Sequence, residues 1–239
     1  MIIEGDISVK ATLKYNRRIV EVIYADEKRH DKDLQYVLKV AEEKKIPVKR
    51  ISRERIEEIA VGKTHGGLIA EVKERVFQTL EDCLIGDCPF VVVVEGVEDP
   101  FNLGYIIRTL YASGCTGLIL RQREWAQVEP IILKSSAGAF EALTIYQSDD
   151  ISRDIRRLKE DGLYCYAAMR KDAISYLEAE YTRPIVLLIG GEIRGLSSKV
   201  LKESDQNIYI PYANDFHNAL NAAGASAVLG FEILRQRTK

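Results

Sequence analysis

The amino-acid sequence predicts a two-domain α/β protein, and two patterns support that prediction. From residue 90 onward, short apolar runs of strand length alternate with segments of helical periodicity, which is typical of a layered domain with a parallel sheet. Before residue 80, strand and helix signals also alternate, but over a shorter and more basic stretch. We therefore expect a small domain at residues 1–80 and a larger one at residues 88–239, separated by a turn-prone stretch that ends at Pro89.

The first domain has recognisable strands and helices. β-Branched residues predict a strand at residues 18–25, and apolar residues at helical spacing predict a helix at residues 32–45. Ser52 is suited to cap a second helix that contains Ile56 and Ile59. Two glycines then break the chain before a strand at residues 68–72.

The second domain alternates six apolar strands with five helices. The predicted strands are residues 90–94, 117–120, 143–146, 163–168, 185–189 and 208–210. The predicted helices are residues 103–112, 130–142, 151–160, 198–203 and 218–236. Strands that are apolar almost throughout fit a parallel sheet that is buried on both faces.

Length and composition indicate a globular protein with a sizeable core. The chain has 239 residues, of which 46% are hydrophobic and 29% are charged. It contains no apolar run near the roughly 20 residues that cross a bilayer, and it does not begin with a signal-peptide pattern. Its four scattered cysteines lack the spacing of a zinc site, so we expect reduced thiols, no metal, and a cytoplasmic location.

Charge is distributed unevenly between the two predicted domains. The first 80 residues carry a net charge of +3, whereas the remaining 159 carry −5. Two basic clusters stand out in the first domain: Arg17-Arg18, and Lys49, Arg50, Arg53 and Arg55. They permit an RNA partner, although an ordinary solvated surface would have the same charges.

Two familiar nucleotide-binding motifs are disfavoured. Gly62-Lys63-Thr64 resembles the end of a phosphate-binding loop, but the glycine required five residues earlier is replaced by Glu57. After the strand at residues 90–94, Gly96 and Gly104 are too far apart for the glycine fingerprint of dinucleotide-binding folds.

A first candidate segment follows the strand at residues 90–94. Asn102 can cap the next helix, and Gly104 leaves room for a ligand or another backbone in the first turn. Arg108 follows Gly104 by four residues, so both lie on one helix face. A capped helix with a surface arginine is the alternative interpretation.

A second candidate segment follows the strand at residues 185–189. Gly190, Gly191 and Gly195 surround a single carboxylate, Glu192. Adjacent glycines permit a tight turn at the carboxyl end of a strand, where α/β proteins place ligands. A turn without a ligand would show the same pattern.

A third candidate segment begins at Ile210-Pro211 and, after a loop, continues through Leu220-Asn221 into a helix rich in small residues. Gly224 lies in that helix, although glycine costs about 1 kcal/mol in a helix interior. Close packing of a buried helix is the alternative to a ligand site.

In this order, the three segments resemble the signature motifs of the SpoU/TrmH family of RNA 2′-O-ribose methyltransferases, in the SPOUT superfamily. The first motif is matched by Asn102, Gly104 and Arg108; the second by Gly190, Glu192 and Gly195; and the third by Ile210, Pro211, Leu220 and Asn221. The resemblance covers about residues 88–239. The first 75 residues look like the family's substrate-binding domain, which resembles a small ribosomal-protein RNA-binding fold.

The resemblance implies a trefoil knot in the C-terminal domain, a homodimer, and S-adenosylmethionine bound by the knot loops. Carried over by motif, the cofactor-binding residues are Gly190, Gly191, Gly195, Ile210 and Leu220. The implied catalytic residue is Arg108, with Asn102, Glu192 and Asn221 positioning it, the substrate and the cofactor. Arg108 could withdraw the proton of the ribose hydroxyl or clamp a phosphate, and the sequence leaves both roles open.

The chain also departs from the family pattern. Ala219 and Ala223 occupy positions where many members have serine, and the loop at residues 212–217 lacks the usual glycine and serine. We expect a 2′-O-methyltransferase that acts on rRNA, with tRNA as the second choice. The alternative is a knotted RNA-binding protein with weak or no methyl transfer. A methyltransferase that acts on a base is disfavoured, because other SPOUT branches carry different motifs.

Overall fold

The structure is a computed structural model, and it describes residues 1–191, 194–215 and 218–238. The described residues form two compact units. Unit 1 contains Met1–Val76 and Glu124–Ala142, and unit 2 contains Phe77–Arg123 and the chain from Leu143 onward. The segment Glu124–Ala142, which lies inside the predicted second domain, thus belongs to unit 1.

The helices and strands follow one another in an alternating order. The strands are β1 (Ile2–Glu4), β2 (Val20–Asp26), β3 (Val48–Ile51), β4 (Leu68–Val72), β5 (Phe90–Glu95), β6 (Gly117–Arg121), β7 (Ile145–Ser148), β8 (Tyr164–Ala168), β9 (Ala173–Ser175), β10 (Ile185–Gly190) and β11 (Gln206–Tyr209). The helices are α1 (Asp6–Tyr15), α2 (Lys32–Glu43), α3 (Arg53–Ile59), α4 (Pro100–Ala112), α5 (Glu129–Ser135), α6 (Ala139–Ala142), α7 (Ile151–Glu160), α8 (Ser198–Leu201) and α9 (Ala222–Arg237).

Unit 1 is built on a mixed four-stranded sheet in the order β1-β4-β2-β3. Strands β2 and β3 are parallel, and β4 is antiparallel to β1 and β2. The apolar face of α2 contributes Leu34, Val37 and Ala41 to the core, and all three are fully buried. Ser52 caps α3 as predicted, by accepting a hydrogen bond from the backbone N–H of Arg55 at 3.3 Å.

Unit 2 contains a seven-stranded sheet in the order β7-β6-β5-β10-β8-β11-β9, and all its pairings are parallel. The predicted α/β class with a parallel sheet is therefore confirmed. Strands β5 and β10 lie side by side at its centre and are almost completely buried. Because the strands are parallel, the chain leaves β5, β8, β10 and β11 at the same edge of the sheet. The trefoil knot remains a prediction.

Helix α4 begins earlier than predicted, and the predicted cap is wrong. The carboxylate of Asp99 accepts hydrogen bonds from the backbone N–H groups of Phe101 and Asn102, at 3.4 and 3.0 Å. Pro100 fits the first helical position, where a missing N–H costs little. Asn102 therefore lies inside the first turn of α4 and does not cap it.

The helix predicted at residues 130–142 is divided into α5 and α6. Ala137 and Gly138 adopt left-handed backbone conformations between them, with φ of +51° and +84°. A side chain at Gly138 would place its Cβ 2.7 Å from the Cβ of Ala11 in α1. The break thus lets the chain pass close to α1, a requirement that helical periodicity does not reveal.

Helices α4 and α9 pack against each other in unit 2. Gly230 of α9 permits the close approach, since a Cβ there would lie 2.6 Å from the hydroxyl oxygen of Ser113, which ends α4. None of the described helices is long and apolar enough to span a membrane.

Candidate cofactor site

The chain beyond β10 forms a tight glycine loop, defined here as residues 190–191 and 194–197. The backbone N–H of Gly191 donates to the carbonyl oxygen of Glu95 at 2.7 Å, and that of Gly195 donates to the carbonyl oxygen of Gly191 at 2.9 Å. A Cβ at Gly190 would lie 2.6 Å from the carbonyl carbon of Gly195. Since that neighbour is backbone, Gly190 is required by the packing of the loop itself.

A cavity of about 350 Å³ lies in unit 2 where β8, β10 and β11 end. Its lining includes all five predicted cofactor-binding residues: Gly190, Gly191, Gly195, Ile210 and Leu220. These residues come from two segments that are separated in sequence, and the fold brings them to one place. The carboxyl edge of a parallel sheet is where α/β proteins bind ligands.

Part of this lining was not predicted from the sequence. Met169 and Arg170 follow the end of β8 and face the cavity, as does Tyr212. The position of Met169 and Arg170 just after an apolar strand was the available signal. That signal was not sufficient, because the sequence does not show that β8 lies beside β10.

Tyr212 and Arg170 hold the segment that precedes α9. The Tyr212 hydroxyl accepts a hydrogen bond from the backbone N–H of Leu220 at 2.7 Å. The Arg170 guanidinium lies over the Tyr212 ring, 4.4 Å from its centroid, and donates to the carbonyl oxygen of Asn218 at 3.2 Å. The backbone N–H of Leu220, a predicted cofactor-binding residue, is therefore already hydrogen-bonded within the protein.

Three of the four predicted catalytic residues, Arg108, Asn102 and Asn221, lie outside the cavity lining. Arg108 is exposed on α4, and Asn102 is half-buried in the first turn of the same helix. Asn221 caps α9, because its side-chain oxygen accepts a hydrogen bond from the backbone N–H of Gly224 at 2.7 Å. Glu192 lies outside the described residues.

The basic clusters of unit 1 are largely engaged within the unit. Arg18 is buried and forms ion pairs with Glu129 and Glu141, both at 2.7 Å. The guanidinium of Arg50 donates to three backbone carbonyls, those of Asp26, Glu27 and Arg29. Arg18 thus pairs with carboxylates in the interior of unit 1 and is not part of its exposed basic surface.

The four cysteines are free thiols, three of them buried. Burial raises the pKa of Cys83 and of Cys165 to about 12, so these thiols stay protonated at neutral pH. No cluster of three or more metal-ligating side chains occurs among the described residues.

Comparison with known proteins decides the family. Residues 89–231 match the SpoU rRNA methylase family. The chain belongs to this family. Residues 2–77 match a second family, described as RNA 2′-O ribose methyltransferase substrate binding. The predicted family, the enzyme class and the RNA partner are confirmed.

Curated relatives and solved structures agree with this assignment. The 23S rRNA (guanosine-2′-O-)-methyltransferase RlmB of Haemophilus influenzae is 31% identical over 225 residues, which cover 92% of this chain and 91% of that protein. An uncharacterized tRNA/rRNA methyltransferase of Synechocystis is 30% identical over 238 residues, and the match spans 98% of this chain but 62% of the relative. The SpoU methyltransferase AviRb of Streptomyces viridochromogenes, solved with AdoMet, has a TM-score of 0.84 at 21% identity, covering 100% of this chain and 91% of that one.

Proposed function

We propose that this SpoU-family protein transfers a methyl group from S-adenosylmethionine to a ribose 2′-hydroxyl of structured RNA, with rRNA as the favoured substrate. One observation supports this proposal above the others. All five residues expected to bind the cofactor line one cavity at the carboxyl edge of the parallel sheet.

The cavity suits a nucleoside cofactor. Its volume of about 350 Å³ lies within the roughly 300–1,000 Å³ of small-molecule sites. Apolar side chains such as Ile189, Leu196 and Leu229 form walls, and the lining also includes Gly190, Ile210 and Leu220, although the N–H of Leu220 is bonded to the Tyr212 hydroxyl. S-Adenosylmethionine, when bound, supplies a methyl group on a positively charged sulfur. Gly191 and Gly195 shape the loop beside it.

For Arg108 we propose contact with the RNA, and the phosphate clamp is the physically simpler role. The side chain is exposed on α4, and it forms no ion pair with any described residue. A guanidinium presents parallel N–H donors that match two phosphate oxygens. A clamped phosphate would fix the neighbouring ribose and orient its 2′-hydroxyl toward the methyl group. Asn102, Glu192 and Asn221 are proposed as positioning residues.

The choice of rRNA rests on the relatives. The Haemophilus protein is named for 23S rRNA, whereas the Synechocystis protein is named for tRNA and rRNA. We propose that unit 1 binds the substrate RNA, since residues 2–77 match the substrate-binding family. Mapping of 2′-O-methyl sites in RNA from cells with and without the protein tests the proposal. Loss of one rRNA site supports it, and loss of a tRNA site alone would favour tRNA.

A knotted RNA-binding protein without methyl transfer is the second candidate. It is favoured by Ala219, which lines the cavity at a position where many family members have serine. Calorimetry with S-adenosylmethionine separates the two, because the enzyme must bind the cofactor. Absence of binding at millimolar cofactor would support the second candidate.

We also propose a homodimer through α4 and α9. Phe101 and Tyr105 on α4 and Phe231 on α9 are each about half exposed, and large apolar side chains on neighbouring helices are typical of interfaces. Light scattering should give twice the monomer mass, and Phe231→Glu should reduce it to that of a monomer. A monomeric wild-type protein would contradict the proposal.

We further propose a trefoil knot in the C-terminal domain, a cytoplasmic location, and domains at residues 1–80 and 88–239.

A further inference from the structure

We infer that Glu95 is a positioning residue for the glycine loop, because its carboxylate binds the end of that loop, at Ser197, directly after the residues that line the cavity. The inference rests on the proposed function, in which this cavity binds S-adenosylmethionine. It concerns a residue outside the three sequence motifs, at the end of the central strand β5.

Glu95 is unusual in its surroundings. It ends a strand whose other residues are Phe and Val, and it is itself 7% exposed. A buried carboxylate is costly unless its oxygens find partners. Both oxygens are engaged: Oε2 accepts a hydrogen bond from the backbone N–H of Ser197 at 2.7 Å, and Oε1 accepts one from Arg121 at 3.3 Å.

The main chain of Glu95 also bonds to the glycine loop. Its carbonyl oxygen accepts a hydrogen bond from the N–H of Gly191 at 2.7 Å. Glu95 thus binds the start of the loop, at Gly191, through its backbone and the end of the loop, at Ser197, through its side chain. Gly195 and Leu196, which line the cavity, lie directly before Ser197. The carboxylate therefore determines the position of Gly195 and Leu196 in the cavity wall.

The two partners of the carboxylate differ in strength. The Ser197 bond is short, at 2.7 Å, and its acceptor is a buried carboxylate, as expected for a charge-assisted hydrogen bond. Arg121 is 64% exposed, and exposed ion pairs contribute little. The Ser197 bond, and not the ion pair with Arg121, is the contact that positions the loop.

Three variants of the full-length protein test this assignment. Glu95→Met keeps the side-chain volume but removes the acceptor, Glu95→Gln keeps an acceptor oxygen, and Arg121→Ala removes only the outer partner. The measurements are the S-adenosylmethionine Kd by calorimetry, amide hydrogen exchange at Ser197 by NMR, and the unfolding temperature. We expect Glu95→Met to raise the Kd about tenfold or more and to accelerate exchange at Ser197. Glu95→Gln should keep most of the wild-type affinity and most of the protection from exchange at Ser197. Arg121→Ala should resemble the wild type.

Several results would overturn the assignment. A wild-type Kd and wild-type Ser197 exchange in Glu95→Met would show that the carboxylate does not position the loop. A Glu95→Gln protein as impaired as Glu95→Met would show that the acceptor is not what matters. If Glu95→Met does not fold, Ser197 exchange in Glu95→Gln decides, and strongly accelerated exchange there counts against the assignment. Failure of the wild-type protein to bind S-adenosylmethionine would instead refute the proposed function, while the exchange data would still test the contact.

Discussion

A Cβ atom added at Gly191 would lie 2.0 Å from the carbonyl oxygen of Gly96. The glycine loop and the turn after β5 therefore meet backbone to backbone, and no side chain fits between them. A distance of this size cannot be relieved by a change of rotamer, since the neighbouring atom belongs to the main chain. This relationship shows that a glycine is needed at position 191, next to the motif residue Gly190, for the architecture of the cavity.

Gly191→Ala is expected to displace the glycine loop and to raise the S-adenosylmethionine Kd at least tenfold, as measured by calorimetry. The overpacking should lower the free energy of unfolding by about 1–3 kcal/mol. Gly162→Ala is the matched control, because Gly162 has a φ of +91° but nothing within 4 Å of its Cβ position. That variant should lose some stability and keep its Kd. Equal Kd values in both variants would refute the architectural role.

Arg108→Ala is expected to reduce methyl transfer to RNA by at least about 100-fold while cofactor binding stays intact. The side chain is exposed, so the unfolding temperature should not change. Single-turnover transfer of labelled methyl groups measures the effect, and Arg156→Ala, another exposed arginine in unit 2, is the control. Near wild-type turnover in Arg108→Ala would remove Arg108 from the reaction. Arg108→Lys should remain impaired if bidentate phosphate binding is required.

Asn221 has a structural role that can be separated from a catalytic one. Asn221→Ala removes the cap of α9 and should cost about 1 kcal/mol in unfolding free energy. Asn221→Asp retains a capping oxygen, so its stability should be close to that of the wild type. If Asn221 also positions substrate, Asn221→Asp will be stable but slow in methyl transfer. A stable and fully active Asn221→Asp protein would restrict Asn221 to capping.

Tyr212 and the cofactor are expected to compete for one hydrogen-bond donor. The Tyr212 hydroxyl accepts a hydrogen bond from the backbone N–H of Leu220, a residue that the family resemblance assigns to the cofactor. Tyr212→Phe frees that donor, and we expect the S-adenosylmethionine Kd to fall by about two- to tenfold. Calorimetry measures the change, and Tyr209→Phe, at another tyrosine in the lining, is the control. A weaker affinity in Tyr212→Phe would mean that the hydroxyl supports the site.

Arg18 is expected to be essential for the stability of unit 1. Arg18→Met removes the cation that is ion-paired with both Glu129 and Glu141, leaves Arg75 as a nearby buried charge, and should cost about 3–5 kcal/mol in denaturant unfolding. Lys32→Met, at an exposed position in unit 1, should have little effect. An Arg18→Met protein as stable as the wild type would contradict the buried ion-pair account.

The same cluster predicts a pH dependence. Burial raises the pKa of Glu141, so the folded state binds that proton more tightly than the unfolded state does. The resulting stability is present below the unfolded-state pKa and is lost as the pH rises through the folded-state pKa. Removal of Arg18 should raise the folded-state pKa of Glu141 further, so the loss of unfolding free energy in Arg18→Met should be smaller at pH 5 than at pH 8. A loss of unfolding free energy that grows as the pH falls would contradict this direction.

Much of unit 2 could be predicted, because its strands are continuous apolar runs and its helices are periodic. The strands β5, β6 and β10 agree closely with their predicted bounds. The short edge strand β9 was missed, since three half-buried residues give little hydrophobic signal. In unit 1, β1 and α1 were missed for a related reason: β1 is short, and α1 has buried polar residues, Ser8 and Thr12, on its inner face.

By itself, the sequence determined the α/β class, the order of the main strands and helices, and the three motifs, because these depend on local periodicity and on residue types at fixed spacing. Only the tertiary structure decided which of these residues share a cavity and which charges are buried. Glu95 bonds to Ser197, 102 residues away, and Arg18 pairs with Glu141, 123 residues away. Contacts of that range depend on strand order and close packing, which no local pattern encodes.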